Sequence, residues 1–469
     1  MDDFKFYGFL FIGIYLSIMI VTGLLYSRKE AGQDFIIGNR NIGIIPTAAS
    51  LAASFRDGGG IAFWVTAGFA ASYGGLWLFV GVGISCLILT LIGPRLRAEA
   101  EADKLITIQE RVRHFIGPVS AKLAAIVSLI FGLLIISIQY HVTGNIFAEI
   151  LQVPAYIGVA IVCAILILYL LAGGYKSVIV TDTIQFFVMF SLVIVPFLIP
   201  APAESFNNVK SFWEPSAADK IAFFLFGIYY LLIAPECWQR IFSARDDKTV
   251  RIGLPLTLAM LVIMTLSLIW LGMGVKAVMP DISKDNVYAE MFRNVPDIAP
   301  WVQGYLLVVF LSITMSTQSA ACYSFSSTLS TIFFAKKTEN DKSYIHFSRI
   351  AMASCLVGAA VLSLTIHGVV QYMFDAVGFI MCLAPLYIFS AVANRFDSYK
   401  TLNLEDRKHL DGIITVITIG GIAAFLWQLL SGMSDAGFIY SMMPSVISTV
   451  AISGAIILFL QGSGKTATA

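Results

Sequence analysis

The sequence predicts an all-α polytopic membrane protein with about thirteen transmembrane helices, counted on the rule that a span needs about 20 apolar residues. Three observations predict it. Hydrophobic residues make up 58% of the 469 positions and charged residues 13%, with a mean hydropathy of +0.84, where soluble domains carry roughly a quarter charged residues. The apolar residues fall in runs long enough to cross a bilayer. Lys and Arg gather in alternate connections between those runs, as the positive-inside rule describes. A net charge of +1 and a pI near 7.6 give no basis for nucleic-acid binding. Cys86, Cys163, Cys237, Cys322, Cys355 and Cys382 all lie in apolar segments without CxxC spacing, so they read as small buried residues.

The expected spans are 6–27, 43–69, 73–94, 119–149, 153–172, 180–199, 220–240, 253–278, 300–335, 346–367, 369–394, 411–431 and 438–461. The first run has no A-x-A site after it and reads as a retained span, not a cleaved signal. Basic residues follow the first, third, seventh, ninth and eleventh spans: Arg28, Lys29 and Arg40; Arg95, Arg97, Lys104, Arg111 and Arg113; Arg240, Arg245, Lys248 and Arg251; Lys336, Lys337 and Lys342; Arg395, Lys400, Arg407 and Lys408. The N-terminus is therefore expected outside and the C-terminus in the cytoplasm of a cell inner membrane.

The connection 95–118 carries Leu105, Ile106, Ile108, Val112 and Phe115 among charges. It reads either as a short amphipathic helix on the cytoplasmic surface or as a solvated connector. Loops 200–219 and 280–299 are where outer caps are expected. The tail 462–469 reads as disordered; its GKT lacks the GxxxxGK[ST] phosphate-loop pattern.

Residues 49–64, ASLAASFRDGGGIAFW, break the pattern of the second span. Charges at membrane depth are costly and usually mark a site. Consecutive glycines each penalise a helix by roughly 1 kcal/mol relative to alanine. Arg56, Asp57, Gly58, Gly59 and Gly60 thus predict a broken helix whose unwound carbonyls and ends face an ion or solute, the arrangement of secondary transporters. The competing reading is a kinked helix with an internal Arg56–Asp57 pair that only holds the bundle. The second to eleventh spans divide into two sets of five, and an odd number per set inverts the second. That set opens on a helix interrupted at Ala234-Pro235-Glu236. The symmetry rests on counting.

The ninth span, LSITMSTQSAACYSFSSTLST over 311–331, is dense in hydroxyls, including Ser316 and Thr317. Hard cations take oxygen ligands, but most such hydroxyls are expected to serve helix packing or to bond back to their own helix. Asp182, with Gln185 on a common helical side, reads equally as an ion site, a helix cap or a partner of Lys176. Gln139, Tyr140, His141 and Asp375 are further polar candidates, His141 as a hydrogen-bonded core histidine.

Gly173-Gly174-Tyr175-Lys176-Ser177-Val178, Thr181-Asp182 and Gln185 resemble the GG-x-x-[AS]-V-x-x-TD-x-x-Q signature of the solute:sodium symporter family. Gln239-Arg240-Ile241-Phe242-Ser243-Ala244-Arg245-Asp246 is similar to its QR-x-L-A-A-K-D segment. Ser316-Thr317-Gln318-Ser319 resembles its serine/threonine-rich core helix eight. Pro94-Arg95-Leu96-Arg97 with Leu105 to Glu110 resembles its loop after core helix two. The resemblance runs over nearly the whole chain in hydropathy and order. It implies a leucine-transporter-like five-plus-five inverted repeat, with one helix before it and two after: residues 1–42, 43–199, 200–394 and 395–461. It also implies a Na+ site from the carbonyls of Ala53, Arg56 and Ile313 and the hydroxyls of Ser316 and Thr317. Asp182 becomes a candidate for a second Na+ or proton site.

The chain departs from the family at Phe55, Arg56 and Asp57, and at Ala234, Pro235 and Glu236, where sugar-transporting members carry Asn or Gln. Arg56, Asp57, Gly58, Gly59, Gly60, Gln139 and Glu236 then form the expected substrate-binding set, for an amino acid or other small carboxylate. The function expected is Na+-coupled symport by alternating access, with Na+ as coupling ion and a small solute and the bilayer as partners. No obligate protein partner and no enzymatic activity are expected, since HExxH, DDxxD and GxSxG are all lacking. The alternatives are proton coupling and a transporter-like sensor that acts through a partner.

Overall fold

The computed structural model describes residues 3–27, 37–199, 201–282, 287, 299–333, 342–393, 397–400, 402–432, 444 and 446–455. Their architecture is helical. The long elements are α1 (Asp3–Ser27), α2 (Ile44–Phe55), α3 (Gly58–Ala71), α4 (Leu76–Ala102), α5 (Ile108–Phe115), α6 (Pro118–Leu151), α7 (Ala155–Ala172) and α8 (Tyr175–Phe190). They continue with α9 (Ala217–Ile233), α10 (Pro235–Ser243), α11 (Asp247–Val278), α12 (Pro300–Phe333), α13 (Lys342–Ser363), α14 (Val369–Met381), α15 (Ala384–Val392), α16 (Leu404–Leu430) and α17 (Val446–Ala455).

Among the described residues, eight helices are long and apolar enough to cross a bilayer, or ten if each of two bent pairs makes one crossing. The expected segments 43–69, 153–172 and 438–461 hold shorter apolar helices. In the first of these the reason is local: Arg56 and Asp57 split one crossing into two pieces. Helix α12 is the centre of the bundle, with 94% of its most apolar stretch buried against 28% for α1 and α16. It packs on α1, α2, α6 and α8. On α1, Phe6, Phe9, Ile14, Val21 and Leu25 are exposed, and on α16 Val416, Trp427 and Leu430, a surface suited to lipid.

Small residues set the closest helix crossings. A Cβ on Gly81 of α4 would collide with the Phe224 carbonyl of α9, and one on Gly227 of α9 with the Leu78 carbonyl of α4. Only glycine lets these two backbones approach so closely.

Helix α5 is the short helix read in 95–118. It opens on a reciprocal cap, with Glu110 N–H donating to Thr107 Oγ1 at 3.2 Å and Thr107 N–H to Glu110 Oε2 at 3.2 Å. It does not lie on the surface, however. Ile108, Gln109, Arg111 and Val112 are fully buried. Arg111 donates to Glu99 at 2.6 Å, and Gln109 to Ser128 at 2.9 Å and Tyr387 at 3.2 Å. The polar face meets polar partners inside the bundle, so the segment is neither the surface helix nor the solvated connector expected, but a packed helix.

Two short 3₁₀ turns, Ala203–Phe206 and Val209–Phe212, close over the junction of α3 and α4, where a cap was expected. Tyr73 donates to the Phe206 carbonyl and Trp77 Nε1 to that of Phe212, both at 2.8 Å. Most of loop 280–299, the tail 462–469, and Arg28, Lys29, Lys336, Lys337 and Arg395 lie outside the described residues. The one β-bridge among the described residues pairs Ile42 with Ala244, joining the entry of α2 to the exit of α10.

Candidate functional site

The first helix breaks where the sequence places its charges, but in a different phase. Arg56 ends α2 (φ −100°, ψ 71°), and Asp57 is the extended N-cap of α3 (φ −86°, ψ 167°). Asp57 Oδ1 accepts the Gly60 N–H at 2.6 Å, the ordinary N-cap bond. The three glycines were expected in the unwound stretch; they form instead the first turn of α3. The first two sit in close contact with neighbouring helices. A Cβ on Gly58 would stand 2.9 Å from Gln139 Oε1, and one on Gly59 2.9 Å from Met373 Sδ. Gln139 accepts the Gly58 N–H at 2.6 Å, so it closes the new helix end from α6.

The second break is the expected one. Ala234 (φ −74°, ψ 110°) separates α9 from α10, and Pro235 takes the first helical position, where its missing N–H costs nothing. Trp238 Nε1 donates to the Leu232 carbonyl at 2.8 Å, satisfying an acceptor freed by the break.

Helix α12 meets the end of α2 through hydroxyls and carbonyls. Ser316 donates to the carbonyls of Ala53 at 3.1 Å and Ile313 at 2.9 Å. Thr317 donates to the carbonyls of Ser54 at 3.2 Å and Ile313 at 3.4 Å. Ala53, Ile313, Ser316 and Thr317 are therefore brought together, with Arg56 at the break just beyond. The Ser54 carbonyl belongs to the same cluster and went unread, because backbone oxygens leave no trace in composition. Other hydroxyls of α12 behave as packing residues: Ser312 bonds back to Val308 and Ser326 bonds to the Ser348 carbonyl.

Asp182 neither caps a helix nor takes Lys176 as its partner at ion-pair distance. It pairs with Arg240 Nη2 at 3.0 Å, both side chains being wholly buried. Ser50 donates to Oδ2 at 2.8 Å and Ser319 to Oδ1 at 3.1 Å, so the carboxylate ties α2, α8, α10 and α12. Arg240 also reaches Ser50 at 3.1 Å and Ser54 at 3.3 Å. It was read as a basic loop residue; at 1% exposure it belongs to the interior.

Arg56 does not pair with its neighbour. Its Nη2 donates to the Leu261 carbonyl at 3.0 Å and Thr265 Oγ1 at 2.7 Å on α11. Its Nε is buried without a partner. Asp57 Oδ2 accepts from the Tyr230 hydroxyl at 3.1 Å. Arg56 and Asp57 both line a cavity walled mainly by aromatic and aliphatic side chains. Asp57 also borders a second cavity, with Ser54, Tyr230, Ala234, Glu236 and Thr317. Phe55 and Tyr230, edge to face at 5.3 Å, stand in the wall of both. His141 is hydrogen-bonded to the Ser363 carbonyl at 3.2 Å and Asn145 at 2.9 Å, as expected of a core histidine. Asp375 accepts from Gln371 at 3.0 Å, away from these cavities.

Two interrupted helices meeting beside a hydroxyl-rich central helix define a membrane transporter of the broken-helix kind. The sodium:solute symporter family model matches residues 35–214 of the chain. It is 24% identical to the osmoregulated proline transporter OpuE of Bacillus subtilis, over 95% of this chain and 93% of that one. It is 23% identical to the high-affinity proline transporter PutP of the same organism, over 92% and 94%. It is 24% identical to sodium/proline symporter 2 of Staphylococcus saprophyticus, over 94% and 91%. Its fold matches that of a Na+-coupled sialic acid symporter in a substrate-bound outward-open state, with a TM-score of 0.81 at 14% identity over 95% and 96% of the two chains. A nucleobase-cation-symport-1 family transporter in a closed conformation matches at 0.60 and 15% identity over 93% and 95%.

Proposed function

We propose that the chain is a Na+-coupled secondary symporter that imports a small zwitterionic carboxylate, with proline the first solute to test. The observation that carries this reading is that Thr317 and Ser54, which meet in the hydroxyl–carbonyl cluster, also wall the cavity shared by Asp57 and Glu236. An ion held by the carbonyls of Ala53, Arg56 and Ile313 and the hydroxyls of Ser316 and Thr317 would fix the end of α2. The end of α2 is one wall of the solute cavity, so ion and solute stabilise the same arrangement. The Ser54 carbonyl joins this oxygen set.

In the solute site, Arg56 meets the carboxylate and Asp57 supplies negative charge for an amine, while Glu236 borders the adjoining cavity. Gly58 and Gly59 let α6 and α14 approach the break, Gly60 lines the cavity, and Gln139 holds the first N–H of α3. Asp182 is a structural counter-ion to Arg240 in this state, so the proposed ion site is the one at α2 and α12. The names of the three relatives favour proline, and that of sodium/proline symporter 2 favours Na+ as the coupling ion. The two five-helix sets at 43–199 and 200–394, the outward N-terminus, the cytoplasmic C-terminus and the inner-membrane location belong to the same reading.

The test is uptake of radiolabelled proline into proteoliposomes under an inward Na+ gradient, with K+, choline and a proton gradient as controls. Uptake driven by Na+ alone supports the reading. Uptake of a neutral sugar and of no carboxylate contradicts the solute class, and uptake driven by protons alone contradicts the ion.

A further inference from the structure

We propose that the cavity at the first helix break reads a zwitterion by separated ends, with Arg56 for the carboxylate and an aromatic cage around Asp57 for an alkylated ammonium. The solute class is then a secondary or quaternary ammonium carboxylate. This deepens the symport reading and rests on it.

The two charges are adjacent in sequence yet form no ion pair, each side chain turning to other partners. Arg56 turns to α11, where it finds only the Thr265 hydroxyl and the Leu261 carbonyl, and its Nε finds nothing. No carboxylate among the described residues stands at ion-pair distance from it. Asp57 turns the other way, to Gly60 and to Tyr230 of α9. A buried cation without a counter-ion is expensive in a medium that cannot solvate it. A bound carboxylate would supply the missing charge with matching planar geometry.

The rest of the cavity decides what the other end of the solute is. Six of its lining side chains are aromatic: Phe55, Phe63, Trp64, Phe79, Phe226 and Tyr230. They brace one another, with Phe63 and Trp64 edge to face at 4.9 Å, Trp64 and Phe79 at 6.1 Å, and Phe226 and Tyr230 stacked at 6.0 Å. Phe374 supports the group from behind, 5.3 Å from Phe63 and 5.2 Å from Phe226.

A primary ammonium brings three N–H donors and loses stability for each one left unpaired. The lining side chains offer the Asp57 carboxylate and the Tyr230 hydroxyl as strong acceptors, and the two already bond each other. An ammonium whose hydrogens are replaced by carbon needs fewer acceptors. Its positive charge is spread over C–H groups, which ring faces attract. Ring walls and a single acid therefore select a secondary or quaternary ammonium over a primary one.

The full-length protein in proteoliposomes tests this by Na+-driven uptake of labelled glycine, proline and trimethylglycine, each measured separately. Proline and trimethylglycine are expected to exceed glycine in transport efficiency by about tenfold or more, the scale of a desolvated cation–ring contact. In Trp64→Leu the ratio of trimethylglycine to glycine is expected to fall about fivefold or more. This ratio is independent of how much protein folds. Glycine or another primary amino acid transported as well as trimethylglycine would overturn the proposal and leave the symport reading standing. So would an unchanged ratio in Trp64→Leu. Na+-driven uptake of a dicarboxylate alone has the same meaning. Absence of Na+-driven uptake for every carboxylate would overturn the symport reading, and this one with it.

Discussion

Arg240 and Asp182 form an ion pair at 3.0 Å in which neither side chain reaches solvent. The pair lies one turn from the hydroxyl–carbonyl cluster on both sides, through Ser50 on α2 and Ser319 on α12. Because two serines complete the carboxylate's hydrogen bonds, losing one charge leaves the other stranded. Arg240→Met is expected to lower stability by about 3–5 kcal/mol, the usual cost of breaking a buried pair. Asp182→Asn combined with Arg240→Met should recover a large part of that loss, a coupling read by a double-mutant cycle in thermal unfolding. If the single variant loses less than about 1 kcal/mol, the range of an exposed pair, the pair is not the brace described here.

Asp57 carries two duties that substitution can separate. Its Oδ1 caps α3 and its charge faces the cavity. Asparagine caps a helix about as well as aspartate, and alanine loses about 1 kcal/mol. Asp57→Asn is therefore expected to unfold near the wild-type midpoint while losing solute uptake. Asp57→Ala should lose both. Paired thermal unfolding and uptake measurements check this, and normal uptake in Asp57→Asn would remove the charge from the account.

Arg56 is a buried cation with no carboxylate at ion-pair distance among the described residues. Replacing such a group with a neutral one of similar size relieves desolvation. Arg56→Gln is expected to keep or raise the unfolding midpoint and to abolish carboxylate uptake. A variant that loses stability while still transporting would show that Arg56 holds the bundle and not the solute.

Much of this arrangement was legible in the sequence. Charges and glycines inside a spanning segment announce a break, and Pro235 announces the second. The phase of the first break was not legible, because Gly58 and Gly59 look like helix breakers when considered alone. They pack against Gln139 and Met373, which lie far away in sequence. The same limit hid the partner of Asp182, since Arg240 is 58 positions away and sits at the end of an apolar run, where arginine looks like a loop residue. One signal was available: an arginine within a membrane-length segment needs a carboxylate, and Asp182 was the buried acid in want of one. The burial of α5 was hidden for a related reason, because its charged face looks solvated until Glu99 and Tyr387 are placed beside it.

Thermal unfolding of the purified protein in Na+ against equal K+ or choline, for wild type and for Ser316→Ala/Thr317→Ala, decides whether Na+ binds between α2 and α12. A ligand bound only by the folded state stabilises by RT ln(1 + [L]/Kd), about 2.7 kcal/mol at a hundred times Kd. Each protein is compared with its own K+ reference, so an altered baseline does not matter. The midpoint is expected to rise with Na+ for wild type and not for the double variant. An equal Na+ response in both, or none in wild type, would contradict a Na+ site between α2 and α12.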